Sequence, residues 1–180
     1  MDRESAVAAV FFGSAWGIVE ALLGGFMHMV LPFFPYTGAL VISLVVPLVL
    51  VAKTHGRGTV LLTGFVAASF KLLNFVIFPS MSIIRPMVAI IIEAAVAEML
   101  LYAVPRARGA ISGFTLALAS ALSLIIPPSN MVPSRILLSV VIASVLSEGT
   151  TRAVSLERVK PNARVASALF TTAMILTLLI

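Results

Sequence analysis

Cysteine is missing from all 180 residues, which removes disulfides, thiolate metal ligation and thiol chemistry. Charge is nearly as scarce. Only 11% of residues are charged against 61% hydrophobic, whereas water-soluble domains carry about 25% charged residues. No water-soluble fold accounts for that balance. Acidic residues are the rarer sign, seven against twelve Lys and Arg. This basic excess lies in short loops between apolar segments rather than on a soluble arm, so it reads as a topology signal and not as a nucleic-acid surface.

Catalytic signatures are missing too. No Gly-x-x-x-x-Gly-Lys-Ser/Thr loop is present, so ATP is not hydrolysed by that route. Neither His-Glu-x-x-His nor Gly-x-Ser-x-Gly occurs. The two histidines, His28 and His55, fall in segments expected on opposite sides of a membrane, which argues against a serine–histidine hydrolase. The aqueous loops are too short for a catalytic domain. The chain is expected to bind rather than to catalyse, and to need no cofactor.

What the chain has is apolar length, with a mean hydropathy of +1.16. Stretches of about 17–25 apolar residues, the length that spans hydrocarbon, recur throughout. Breakers and charges divide it into 5–29, 38–52, 59–78, 86–104, 110–126, 134–149 and 164–180. The expected fold is all-α: one integral membrane bundle over 1–180, with six to seven transmembrane helices. The last segment is barely long enough to span, and a peripheral or interfacial helix is its alternative. Met1-Asp2-Arg3-Glu4 is not a basic leader, so the first segment is read as a retained helix rather than a signal peptide.

Loops 53–58, 105–109 and 150–163 carry two, two and three Lys/Arg, with Arg164 next, whereas 30–37, 79–85 and 127–133 carry only Arg85, with Arg135 just beyond. That asymmetry predicts a cytoplasmic N-terminus and, after seven spans, an external C-terminus. A faint repeat also appears. Arg85 precedes Glu98 by 13 residues, as Arg135 precedes Glu148, so the third and fourth helices look like a copy of the fifth and sixth. Some transporters are built from such repeats, and chance explains the spacing equally well.

The polar residues inside the spans are the informative ones. On a wheel of 100° per residue, Ala9, Gly13, Gly17, Glu20, Ala21, Gly24 and His28 share one sector of the first helix. Small residues at this spacing let two helix backbones meet closely in a membrane. The stripe serves either packing within the bundle or docking of a partner subunit. Glu20 shares it and so faces protein. Lys71 and Asn74 lie in the third helix, Glu93 and Glu98 in the fourth. Counted from their expected outer ends, Lys71 and Glu93 reach similar depth and are expected to pair, with Glu20 joining them. Ion pairs buried only for stability are a weak design, so a ligand-facing network is the preferred reading. Nearer the outer surface come His28, Tyr36, Arg85, Asn130 and Arg135. The arginines either snorkel to the interface or, with Lys71, bind an anionic group. Phe26-Met27-His28-Met29 makes a poor soft-metal site, because one histidine and two methionines point to different faces. No metal is expected.

Trp16-Gly17-Ile18-Val19-Glu20, the small-residue stripe, a proline-rich outer loop and polar residues in the outward half together resemble the substrate-binding S components of energy-coupling factor (ECF) transporters. The layout is similar over most of residues 5–150, with loose motifs; small membrane proteins with Trp-Gly-x-x-Glu near the start share it. The resemblance implies a six-helix bundle in the cell membrane that binds one small molecule near its outer face. It also implies partners: a transmembrane coupling subunit docked on Ala9, Gly13 and Gly17, driven by two cytoplasmic ATPases. A seventh span departs from that pattern. Substrate binding is expected at Glu20, His28, Lys71, Asn74, Arg85, Glu93, Asn130 and Arg135. A structural or assembly subunit of a larger membrane complex is the alternative, followed by an intramembrane enzyme acting on a lipid.

Overall fold

The computed structural model describes residues 2–26, 36–77, 81–104, 109–123, 133–153 and 160–179. Among them all regular structure is helical, as apolar runs require, because a helix satisfies its own N–H and C=O groups where no water can. Helix α1 spans Arg3–Val19 and continues as a π-helix over Glu20–Phe26. Next come α2 (Thr37–Ala52), closed by a 3-10 turn at Lys53–His55, and α3 (Thr59–Ile77). Then follow α4 (Met81–Ala103), α5 (Gly109–Ser123), α6 (Pro133–Ala153) and α7 (Ala163–Leu179). Among the described residues, each of the seven expected segments falls on a helix. Four stretches, Arg3–Leu23, Thr37–His55, Ile84–Ala103 and Ile136–Ala153, are long and apolar enough to cross a membrane, and Thr59–Leu73 and Ala163–Leu179 are shorter apolar helices. This is the make-up of a multi-pass membrane protein.

The helices close into a ring. α1 packs on α3, α3 on α4, α4 on α5, α5 on α6, α6 on α2, and α2 back on α1. Within the core, Phe12, Trp16, Val45, Val49, Ile90, Leu101 and Leu116 are buried. α7 stands outside the ring against α1 and α3, where the Phe70 and Phe170 ring centroids lie 5.1 Å apart. Among its described residues only Ala166, Ala173 and Thr177 are buried. The seventh segment is therefore peripheral to the ring.

Contacts between α1 and α3 fix a parallel register. Ser5 Oγ donates to the His55 carbonyl, Gly13 lies against Thr63 and Val66, Gly17 lies against Phe70, and Glu20 pairs with Lys71. Both chains climb together. The same contacts correct one expectation. A methyl group at Gly13 would sit 2.6 Å from Val66 Cβ, and one at Gly17 would enter the Phe70 ring, so only glycine allows α3 this close. Ala9 is 2% exposed. The stripe of Ala9, Gly13 and Gly17 is an internal seam filled by this chain, not an open face for a partner subunit.

α3 and α4 are antiparallel. Gly64 nests against Ile90 and Ala94, while Gly58 and Leu61 donate backbone N–H groups to Glu98. Extending this register puts Lys71 level with about residue 85 of α4 and Glu93 level with about Gly64. Glu93 is then about seven residues, or about 10 Å, deeper than Lys71 at 1.5 Å per residue. The similar depth expected for these two residues is corrected. Its physical cause is the start of α4 at Met81 rather than Pro86, with Pro86 inside the helix. Prolines are tolerated there because neighbouring groups satisfy the carbonyl they free.

Candidate functional site

Ionic chemistry in the proline-rich half of the bundle centres on the junction where α1 widens. Glu20 ends the α-helical part, its N–H directed at the carbonyls of both Gly17 and Trp16, and opens the π-helix. A π turn departs from the 100° wheel, so that wheel describes the stripe as far as Glu20; Ala21, just inside the π-helix, is still buried. π segments recur at functional sites, and nothing in the apolar pattern signalled this one. The segment rests on α1, α2 and α7.

Across from it, Lys71 Nζ of α3 lies 3.7 Å from Glu20 Oε2, each side chain 13% exposed. That separation exceeds the roughly 2.7–2.9 Å of a charge-assisted hydrogen bond. An ammonium offers three donors, so this contact does not use the full donor capacity of Lys71. Arg85 of α4, exposed, is level with Lys71 by the α3–α4 register. Lys71 is thus the cation in contact with Glu20, while Arg85 shares its depth but lies about 180° around α4 from Ala94, which meets α3, at 100° per residue. Trp16, fully buried one turn before Glu20, keeps its indole Nε1 without a hydrogen-bond partner.

Not every expected residue joins them. Glu93 is 5% exposed and sits lower, on a side of α4 about 100° from the Ala94–Glu98 seam at 100° per residue. Asn74 and Arg135 belong to α3 and α6, and their side chains lie outside the described residues. His28 and Asn130 lie outside the described residues altogether.

Glu98 and Glu148 part company as well. Both Glu98 oxygens accept from the start of α3, from Gly58 N at 2.6 Å and Leu61 N at 3.2 Å. Glu148 pairs with Arg152 one turn on, at 2.8 Å on the surface. The equal spacing of Arg85–Glu98 and Arg135–Glu148 does not give equal roles. The glycine seams do repeat: Gly113 of α5 meets the Ala143 carbonyl and Ser147 of α6, as Gly64 meets the Ile90 carbonyl and Ala94.

Fold and charges thus define a multi-pass helical membrane protein with an ionic pair between α1 and α3. No protein-family model, curated protein or solved structure matches the chain.

Proposed function

We propose that this chain is the solute-binding subunit of an ECF-like uptake transporter in the cell membrane, taking a small anionic solute from the outer side. It works as a binder and not as an enzyme, with its N-terminus in the cytoplasm. The single observation that supports this reading is the Glu20–Lys71 pair, separated by 3.7 Å at the π-helical junction with each side chain only 13% exposed. A carboxylate kept in a membrane helix marks a functional site by default. The solute's anionic group replaces Glu20 at Lys71. Glu20 then swings to accept from a donor on the solute.

A coupling subunit and cytoplasmic ATPases supply the energy in this reading. Because α3 fills the glycine seam of α1, the coupling subunit meets the bundle on another face. The test compares solute retention with stability. The purified chain and its Glu20→Gln and Lys71→Met variants are denatured, and the released small molecules are identified by mass spectrometry. A metabolite released by the native chain and lost in both variants, out of proportion to their melting temperatures, supports the proposal. Recovery of a stoichiometric larger complex without any solute would favour the assembly subunit instead.

A further inference from the structure

At the end of the bundle opposite the Glu20 site, the loop between α2 and α3 is tightly fixed. Gly56 and Gly58 adopt φ of 122° and 83°, the left-handed region that side chains rarely enter. Glu98 holds Gly58 and Leu61, and Ser5 Oγ donates to the His55 carbonyl at 2.6 Å. The loop therefore presents its side chains in one arrangement.

Two of them converge on one aromatic ring. Lys53 Nζ lies 5.9 Å and Arg57 Cζ 5.3 Å from the centroid of Tyr102, near the end of α4. Each contact is a cation–π attraction, and together they gather an ammonium and a guanidinium on one face beside the end of α4. Glu98 is committed to the backbone of α3, and among the described residues no carboxylate lies within ion-pair distance of Arg57. Tyrosines at helix ends sit at headgroup level, and basic pockets between helices at that level take lipid headgroups. We infer that Lys53, Arg57 and Tyr102 form a binding site for the phosphate of an anionic phospholipid headgroup. The phosphodiester lies between ammonium and guanidinium, the phenol donates to it, and the acyl chains run down the outside of α4.

The test uses the full chain in detergent micelles with equal phosphatidylglycerol and phosphatidylcholine, read by native mass spectrometry. The expected result is selective retention of phosphatidylglycerol, lowered about 30-fold in K53Q/R57Q, from about a fivefold contribution per cation near a charged surface. Lys53→Arg with Arg57→Lys keeps the charges and retains the lipid, which separates loss of the site from loss of the fold. Arg152→Gln, a charge on α6, leaves retention unchanged. Equal retention of the two lipids, or unchanged retention in K53Q/R57Q, overturns the proposal. So does displacement of the lipid by inorganic phosphate at matching concentration, which would make the ligand free phosphate.

Discussion

Lys71 and Glu20 illustrate how one residue's environment decides its worth. Each is largely buried, and the ammonium is a partner of the carboxylate. Removing one member of a buried pair leaves the other charge uncompensated, typically at about 3–5 kcal/mol. Lys71→Met is therefore expected to lower the melting temperature more than Glu20→Gln, and the double variant to be milder than the two effects added. Denaturation of the four proteins in micelles measures this coupling; strict additivity would mean the two side chains do not interact.

Asp2 behaves differently, at the water-facing start of α1. Its Oδ1 accepts from the Ser5 N–H at 2.8 Å, and that backbone hydrogen bond holds the carboxyl below its ordinary value of 3.8. A depressed carboxyl stabilises the fold above its unfolded value, and the contribution vanishes as pH falls through the folded value. Protection of the Ser5 amide, relative to an unstructured amide at the same pH, should fall as pH drops below the ordinary value of 3.8, where the carboxylate that accepts its hydrogen bond becomes protonated. The same run on Asp2→Ala should show no such step.

At the scale of elements, close seams set the architecture. Gly17→Leu drives a side chain into Phe70, where even a methyl group has no room. The expected outcome is loss of the α1–α3 packing, seen as a lower melting temperature of the isolated chain before any partner is added. A docking face would have tolerated leucine in isolation. Glu98→Ala uncaps α3 at Gly58 and Leu61 and should cost about 1–2 kcal/mol, the range for a lost helix cap.

These seams also explain what was legible in the sequence. Helix positions followed from apolar length, since runs such as Thr37–Ala52 have no other stable form in hydrocarbon. Glu20 was recognisable as protein-facing because it shares a sector with Gly13 and Gly17. The identity of the neighbour was not, because a small-residue stripe suits any close helix. Lys71 and Glu93 were matched by counting from assumed helix ends, and Pro86, which commonly opens a helix, hid the five residues of α4 that precede it. The cap made by Glu98 carries no local signature at all, since its partners lie 37 and 40 residues earlier.

For the whole molecule, the ring of six helices with α7 outside it gives two distinct ends. One collects Lys53, Arg57 and Arg152, and the other carries the proline-rich connections. Tags placed after Lys53, Arg106 and Arg158 are expected to report cytoplasm, and tags after Pro35 and Pro128 the exterior. A cytoplasmic Pro35 would reverse the orientation and turn the Glu20 site inward. Between these ends the account makes one central claim: the Glu20–Lys71 contact opens to an anionic solute. The most direct measurement is an electron-density map of the chain purified from its own membranes without added ligand. The account predicts non-protein density within about 4 Å of Lys71 Nζ, the reach of an ion pair. A map in which Glu20 and Lys71 close on each other, with no density and no cavity beside them, would contradict it.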